Sequence, residues 1–253
     1  MSAFEVLAIL ASGVAAGTIN AVVGSGTLIS FPVLLAFGFA PVTANVSNTL
    51  GLAPGSLTSA YGYRRELQGR GRQAARLACA SFVGAIAGAI LLLEHPPAAF
   101  KAIVPAFIVV ALILIIAQPR LSALLAARAA RRQRERQHEG PALFAGVLVT
   151  GVYGGYFGAA QGILLLAILA LSLDESLQRV NAMKNVLAGT ANLVAGVVFV
   201  FAAPHVDWTA VGLLAAGSIA GGTLGARYGR RLPPAGLRAL IVAVGIVAIV
   251  RLL

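Results

Sequence analysis

The sequence predicts an all-α polytopic membrane protein made of two inverted-topology repeats, each a broken, re-entrant helix hairpin followed by three transmembrane helices. Three observations carry that expectation. Hydrophobic residues make up 59% of the chain and the mean hydropathy is +0.91, far above a soluble domain. Runs near 4–23, 44–60, 77–93, 101–117, 142–157, 180–203, 208–226 and 237–253 carry almost no charge, and most approach the roughly 20 residues that span a bilayer as a helix. Two stretches, Gly17–Leu28 and Gly154–Ile163, set glycines and small polar residues inside apolar sequence where an unbroken helix would otherwise run. The alternating pattern of a spanning β-barrel is absent.

Residues 4–37 are too long for one crossing, and Gly24-Ser25-Gly26-Thr27 interrupts them, so the expected form is a helix, a break and a half-helix. Segment 44–60 follows and ends in Tyr61-Gly62-Tyr63, an aromatic interface anchor. Arg64, Arg65, Arg70, Arg72 and Arg76 then mark a cytoplasmic loop. Segment 77–93 leads out to Glu94-His95-Pro96-Pro97, and 101–117 returns to a basic linker. That linker, 118–140, is expected to lie as an amphipathic or frayed helix on the anionic inner leaflet. It divides a first transmembrane repeat, 1–117, from a second, 141–253. In the second repeat, segment 142–157 meets the break Gly158–Gly162, and Asp174, Glu175 and Arg179 precede segment 180–203. Loop 204–207 lacks Lys and Arg, whereas 227–238 carries Arg227, Arg230, Arg231 and Arg238.

A single offset relates the halves. Gly26 and Gly162, Asn45 and Asn181, and Ser81 and Gly217 are all 136 positions apart. Equivalent loops differ in charge, so they belong on opposite sides, which makes the repeat inverted and places both termini outside. Small-residue faces at Ser81/Ala85/Ala89 and Gly217/Gly221/Gly225 permit close helix approach and offer a surface on which two copies could form a homodimer.

Composition also excludes function classes. The net charge of +11 comes from 17 Arg and 2 Lys, but the Arg sit in short loops, where the positive-inside rule explains them without a nucleic-acid partner. Cys79 is the sole cysteine, so neither an internal disulfide nor a thiolate metal site is expected. The region before the first apolar run contains Glu5 and no basic residue, so that run is read as structure and not as a cleaved signal. All eight acidic residues fall at segment ends or in loops, leaving no carboxylate for a midplane proton relay or cation site. The three His match no metal spacing, and no nucleophile–base pair suggests an enzyme. No cofactor is expected.

What remains is an anion site. Unwound backbone at membrane depth is tolerated where protein or a polar cavity satisfies it, and a half-helix N-terminus directs N–H groups and partial positive charge at a ligand. The first break supplies Asn20, Gly24, Ser25, Gly26 and Thr27; the second supplies Gln161 and Gly162. On the helices that follow, Asn45, Asn48 and Thr49 share one face, and Asn181, Lys184 and Asn185 repeat that spacing at the same offset. Lys184 has two readings: a ligand to the anion, or a side chain that snorkels to the interface near Arg179. Asn192 reads equally well as an interhelical hydrogen-bonding residue.

The motifs AGTINAVVGSGTLISFP (16–32), VSNTL (46–50) and GVYGGYFG (151–158) resemble the TauE/SafE family of sulfite and organosulfonate exporters, and the resemblance runs nearly the full length. Ser25 and Thr27 stand where that family often has glycine, and Ala159-Ala160-Gln161 replaces a tighter glycine cluster. The resemblance implies a permease of the bacterial inner membrane that exports sulfite, a sulfonate or another small oxidised anion. Alternatives are a proton-driven importer of related anions and a non-transporting membrane scaffold.

Overall fold

The structure, a computed structural model, describes residues 1–132 and 140–228 together with 236, 239, 241–246 and 249. Most of the expected segment 237–253, the linker residues 133–139 and Arg230, Arg231 and Arg238 lie outside the described residues. Within them the chain is helical, with no strand.

Helix α1 (Ala3–Val22) opens on a capping box, in which Ser2 Oγ accepts from the Glu5 N–H and the Glu5 carboxylate accepts from the Ser2 N–H at 2.8 Å. The chain then breaks and resumes as α2 (Thr27–Ala36), giving the predicted helix, break and half-helix. Helices α3 (Pro41–Gly62) and α4 (Gly71–Glu94) follow; Pro41 at the first position needs no N–H partner. Helix α5 runs unbroken from Pro97 to Arg132, about 54 Å at 1.5 Å per residue. It therefore outreaches a hydrocarbon core of about 30 Å and carries the first part of the basic linker as its own extension.

The second half also opens on a broken helix. Helix α6 (Pro141–Tyr156) breaks before α7 (Gln161–Ser172), followed by α8 (Leu177–Ala202) and α9 (Trp208–Tyr228). Ser176 caps α8 through the Arg179 N–H, and Asp207 caps α9 through the Ala210 N–H at 2.8 Å. Five helices are long and apolar enough to cross a bilayer by length and composition. The protein is thus an all-α, multi-pass membrane protein.

Small residues set the packing. Gly13 and Gly17 of α1 face Leu214, Gly217, Ser218 and Gly222 of α9, while Gly84 and Gly88 of α4 face Leu148 and Val152 of α6. Both pairs run parallel, since residue numbers rise together along each contact. The small-residue faces at 81–89 and 217–225 are therefore spent inside the chain, and the homodimer rationale drawn from them does not hold. Helices α3 and α8 instead run antiparallel: Ser56 lies against Gly189 and Asn192, and Leu50 against Gly196. Together these directions put the Arg-rich turn after α3, the 173–176 loop and Arg227 at one end of the bundle. Glu175 ties that end together, pairing with Arg70 and with Arg179 at 2.9 Å.

The described acidic residues Glu5, Glu66, Glu94, Asp174, Glu175 and Asp207 all fall at helix ends or in turns. A buried aromatic nest occupies the space between α2, α5 and the second break. Phe157 is its centre, edge-on to Phe31 at 5.2 Å and stacked on Phe107 at 5.7 Å, with Phe100 at 6.0 Å.

The breaks themselves use left-handed backbone. Gly24 has φ +87°, and at the 136-residue offset Ala160 has φ +59°. Glycine adopts this at no steric cost, whereas a side chain costs about 1–2 kcal/mol. A Cβ on Gly24 would also collide with Gly162 Cα. Ala160→Gly should accordingly leave the fold intact and raise the thermal midpoint in detergent, while Gly24→Ala should lower it. A second comparison checks the helix packing. Gly221→Ala forces a Cβ into the Val14 carbonyl, whereas Gly212→Ala meets nothing. The first should lose about 1–3 kcal/mol in a denaturant melt, and the second should be neutral or slightly stabilising.

Candidate functional site

The two breaks meet. The Gly162 N–H at the start of α7 donates to Gly24 O in the first break at 3.0 Å, so the tips of the two hairpins cross-tie through backbone alone. Gly24 and Gly162 leave no room for a Cβ at this crossing, which is why both positions are glycine. Asn20 closes the first tip by accepting the Gly26 N–H on Oδ1 at 2.7 Å. In the second, the Tyr153 hydroxyl donates to Ala159 O at 2.5 Å, and Gln161 Nε2 to Thr150 O at 3.3 Å. The half-helix N-termini are thus less open than the sequence suggested: the Gly26 and Gly162 N–H groups are already spent within the protein.

The carbonyls at the other side of each break draw the asparagines. Where α6 ends, Asn45 Nδ2 donates to Tyr156 O at 2.9 Å. Where α1 ends, Asn181 Nδ2 and Asn185 Nδ2 donate to Ala21 O at 3.3 and 3.2 Å. Asn48 and Thr49 are buried on α3; the Asn48 amide accepts from the Ser30 hydroxyl and reaches Thr27 Oγ1 at 3.5 Å. Each such bond contributes on the order of 1 kcal/mol, but an unmet carbonyl at membrane depth would cost several.

Lys184 does not snorkel. It is fully buried, and its Nζ donates to Asn20 O at 3.0 Å and Ala21 O at 3.5 Å. A cation at a helix C-terminus is favoured by the macrodipole, by up to about 2 kcal/mol in partly buried settings. No carboxylate among the described residues pairs with it.

Between the hairpin tips and helices α3 and α8 lies a polar cavity of ≈ 20 Å³. Six of the expected residues reach it: Asn20, Gly24, Thr27, Gln161, Gly162 and Asn185. Ser25, Gly26, Asn181 and Lys184 lie in or against the same breaks without lining the cavity, and Asn45, Asn48 and Thr49 stand outside its lining. Ser25 Oγ is buried with no partner. Sequence reasoning missed Ser56, Ser59 and Ala188, and left Asn192 undecided; all four line the cavity. Asn192 Nδ2 donates to Ser56 Oγ at 3.0 Å, and these two residues are themselves 136 positions apart. A residue touching its own repeat equivalent must sit where the halves meet, and it is the fold, not the offset alone, that shows the touch.

The arrangement offers neutral donors, one ammonium close by that is bonded to carbonyls and not to a carboxylate, and no carboxylate in the lining. No three His, Cys, Asp or Glu gather among the described residues. At about the size of one water molecule, the cavity as it stands admits no anion of several heavy atoms.

Comparison with known proteins gives the family. The family model described as Sulfite exporter TauE/SafE matches residues 9–252. A protein of Escherichia coli K12 named Probable membrane transporter protein YfcA is 29% identical over 220 residues, covering 86% of this chain and 76% of that protein. A Probable membrane transporter protein of Haemophilus influenzae is 28% identical over 88% of this chain and 85% of its own length. Another, from Sinorhizobium and named Probable membrane transporter protein ORF9, is 27% identical over 99% and 94%. No solved structure matches. The crossed helix breaks thus sit in a chain that belongs to the sulfite exporter TauE/SafE family of membrane transporters.

Proposed function

We propose that this chain exports a small oxidised anion of the sulfite or organosulfonate class across the bacterial inner membrane, by alternating access of two inverted repeats around the crossed breaks. The observation that carries this reading is the crossing itself. Two broken helices meet beside a polar cavity lined by amide and hydroxyl groups, with a buried ammonium nearby. Neutral donors share an anion's charge without holding it too tightly to leave, and Lys184 biases the local potential toward negative ligands.

Inverted repeats are supported by the packing. Under the 136-residue offset α1 corresponds to α6 and α4 to α9, and the contacts pair α1 with α9 and α6 with α4. Equivalent helices α3 and α8 cross antiparallel, and Ser56 meets Asn192 at the crossing. A two-fold axis in the membrane plane produces this set of relations, as in other inverted-repeat transporters. The Arg-rich end is the cytoplasmic one by the positive-inside rule, which puts the N-terminus outside.

The small cavity makes this a closed state. An anion enters only if α3 and α8 separate, which breaks the Ser56–Asn192 bond, or if the hairpins slide, which breaks the Gly162–Gly24 bond. Outward movement needs no coupling ion, because an inside-negative potential favours anion exit by about 2.3 kcal/mol per charge per 100 mV.

Purified protein in vesicles loaded with sulfite, taurine or sulfoacetate should give efflux that rises when the loaded interior is made negative. Proton-gradient-driven uptake would instead identify an importer, and absence of flux across the whole anion panel would leave a scaffold. Asn192→Leu should fill the cavity and lower flux at least about tenfold, equivalent to about 1.4 kcal/mol of barrier. Folded yield should be unchanged, since the Ser56 hydroxyl keeps its bond to Leu52 O.

A further inference from the structure

The ends of α1 and α6 are unlike in one respect. Within α1 the carbonyls of Asn20 and Ala21 have lost their helical donors, since the Gly24 N–H turns back to Ile19 O at 2.9 Å. In transporters with broken helices, such half-helix C-terminal carbonyls are where a coupling Na⁺ is held. Here the position is taken by Lys184 Nζ, 3.0 Å from Asn20 O and 3.5 Å from Ala21 O. We propose that Lys184 is a tethered cation: its ammonium permanently fills the carbonyl site at the broken end of α1 that a mobile monovalent ion would otherwise occupy.

Three further observations favour this over a role as an anion ligand. Lys184 is wholly buried and absent from the cavity lining, so its ammonium is engaged with carbonyls and not presented to a substrate. Asn181 donates to the same Ala21 O, yet its own Oδ1 is buried without a partner. An unused amide oxygen on a side chain already bonded to Ala21 O is an acceptor, which suits a cation and not an anion. Finally, the equivalent of Lys184 in the first repeat is Asn48, which is neutral and bonded to Ser30 and Thr27. The fold needs no charge at this point of the repeat, and the cation belongs to one hairpin alone.

Two consequences follow. The working protein is indifferent to Na⁺ and K⁺, because the site is never vacant. Removing the side chain creates a vacancy of the right chemistry for Na⁺, K⁺ or a small primary ammonium ion.

The test uses purified full-length protein in detergent, melted in choline chloride, NaCl, KCl and methylammonium chloride. Wild type should melt alike in all four. Lys184→Ala should fall by about 2–10 °C in choline, the effect of one orphaned carbonyl, Asn20 O, in a chain of this size, since Ala21 O keeps Asn181 and Asn185, and recover in methylammonium or Na⁺. Lys184→Met, which fills the space but brings no charge, should stay low in every salt. A Lys184→Ala or Lys184→Met protein that melts like wild type in choline overturns the proposal, as does a Lys184→Ala protein that no cation restores. If neither variant folds, the wild type decides: a melt or an anion flux that depends on Na⁺ or K⁺ overturns the tether, and indifference to both supports it. The flux arm rests on the transport reading above, whereas the melts do not. Absence of flux in all media would count against transport alone, with the wild-type melt left to judge the tether.

Discussion

The whole architecture answers one requirement: a peptide group inside a bilayer must find its hydrogen-bond partner within the protein. An unbroken helix meets it automatically. This chain breaks two helices, and nearly every buried polar side chain around the breaks repairs one of them. Asn20 takes the Gly26 N–H, Asn45 serves Tyr156 O, and Asn181, Asn185 and Lys184 converge on Asn20 O and Ala21 O. A further buried pair, Gly162 N–H and Gly24 O, satisfies itself by crossing from one hairpin to the other. Of these side chains Asn20 and Asn185 also line the cavity, which is what the repairs leave over.

The small-residue contacts serve that requirement from outside. Crossed hairpins need flanking helices close enough to shield them from lipid, and α1 on α9 and α4 on α6 achieve this through glycine and alanine. Ser81 and Ser218 add bonds to Leu187 O and Gly51 O at 2.8 and 2.7 Å. The acceptors of those two bonds are again 136 positions apart. The scaffold around the breaks is thus rigid by close packing, while the Ser56–Asn192 crossing is held by one neutral bond.

Much of this was legible in the residues. Length against bilayer thickness, together with Gly24, Gly26, Gly158 and Gly162, located both breaks to within a few positions, and the helices emerged close to the expected segments. The face shared by Asn45 and Asn48, and that shared by Asn181, Lys184 and Asn185, pointed correctly at the breaks. What the pattern could not give was which partner each group would choose. An N–H at a half-helix start is as well placed for a neighbouring carbonyl as for a ligand, and tertiary geometry decides. Ser56 and Ser59 were invisible for a related reason: serine in a membrane helix commonly bonds its own preceding turn, as Ser56 does to Leu52 O. The small-residue stripes at 81–89 and 217–225 identify a close helix contact but carry no information on whether the partner helix lies in the same chain.

The aromatic nest gives the two-fold plan an inequality. Where the first repeat has Asn20 and Ala21 at the end of its broken helix, the second has Tyr156 and Phe157, and Phe157 is packed among Phe31, Phe100 and Phe107. One side of the crossing is faced by amide groups and the other by aromatic rings. A hydrated ion approaching from the polar end exchanges water for amides by degrees, whereas one approaching from the aromatic end must shed its shell against rings that offer nothing in return. The two breaks thus follow one plan and differ in the chemistry they present to the crossing.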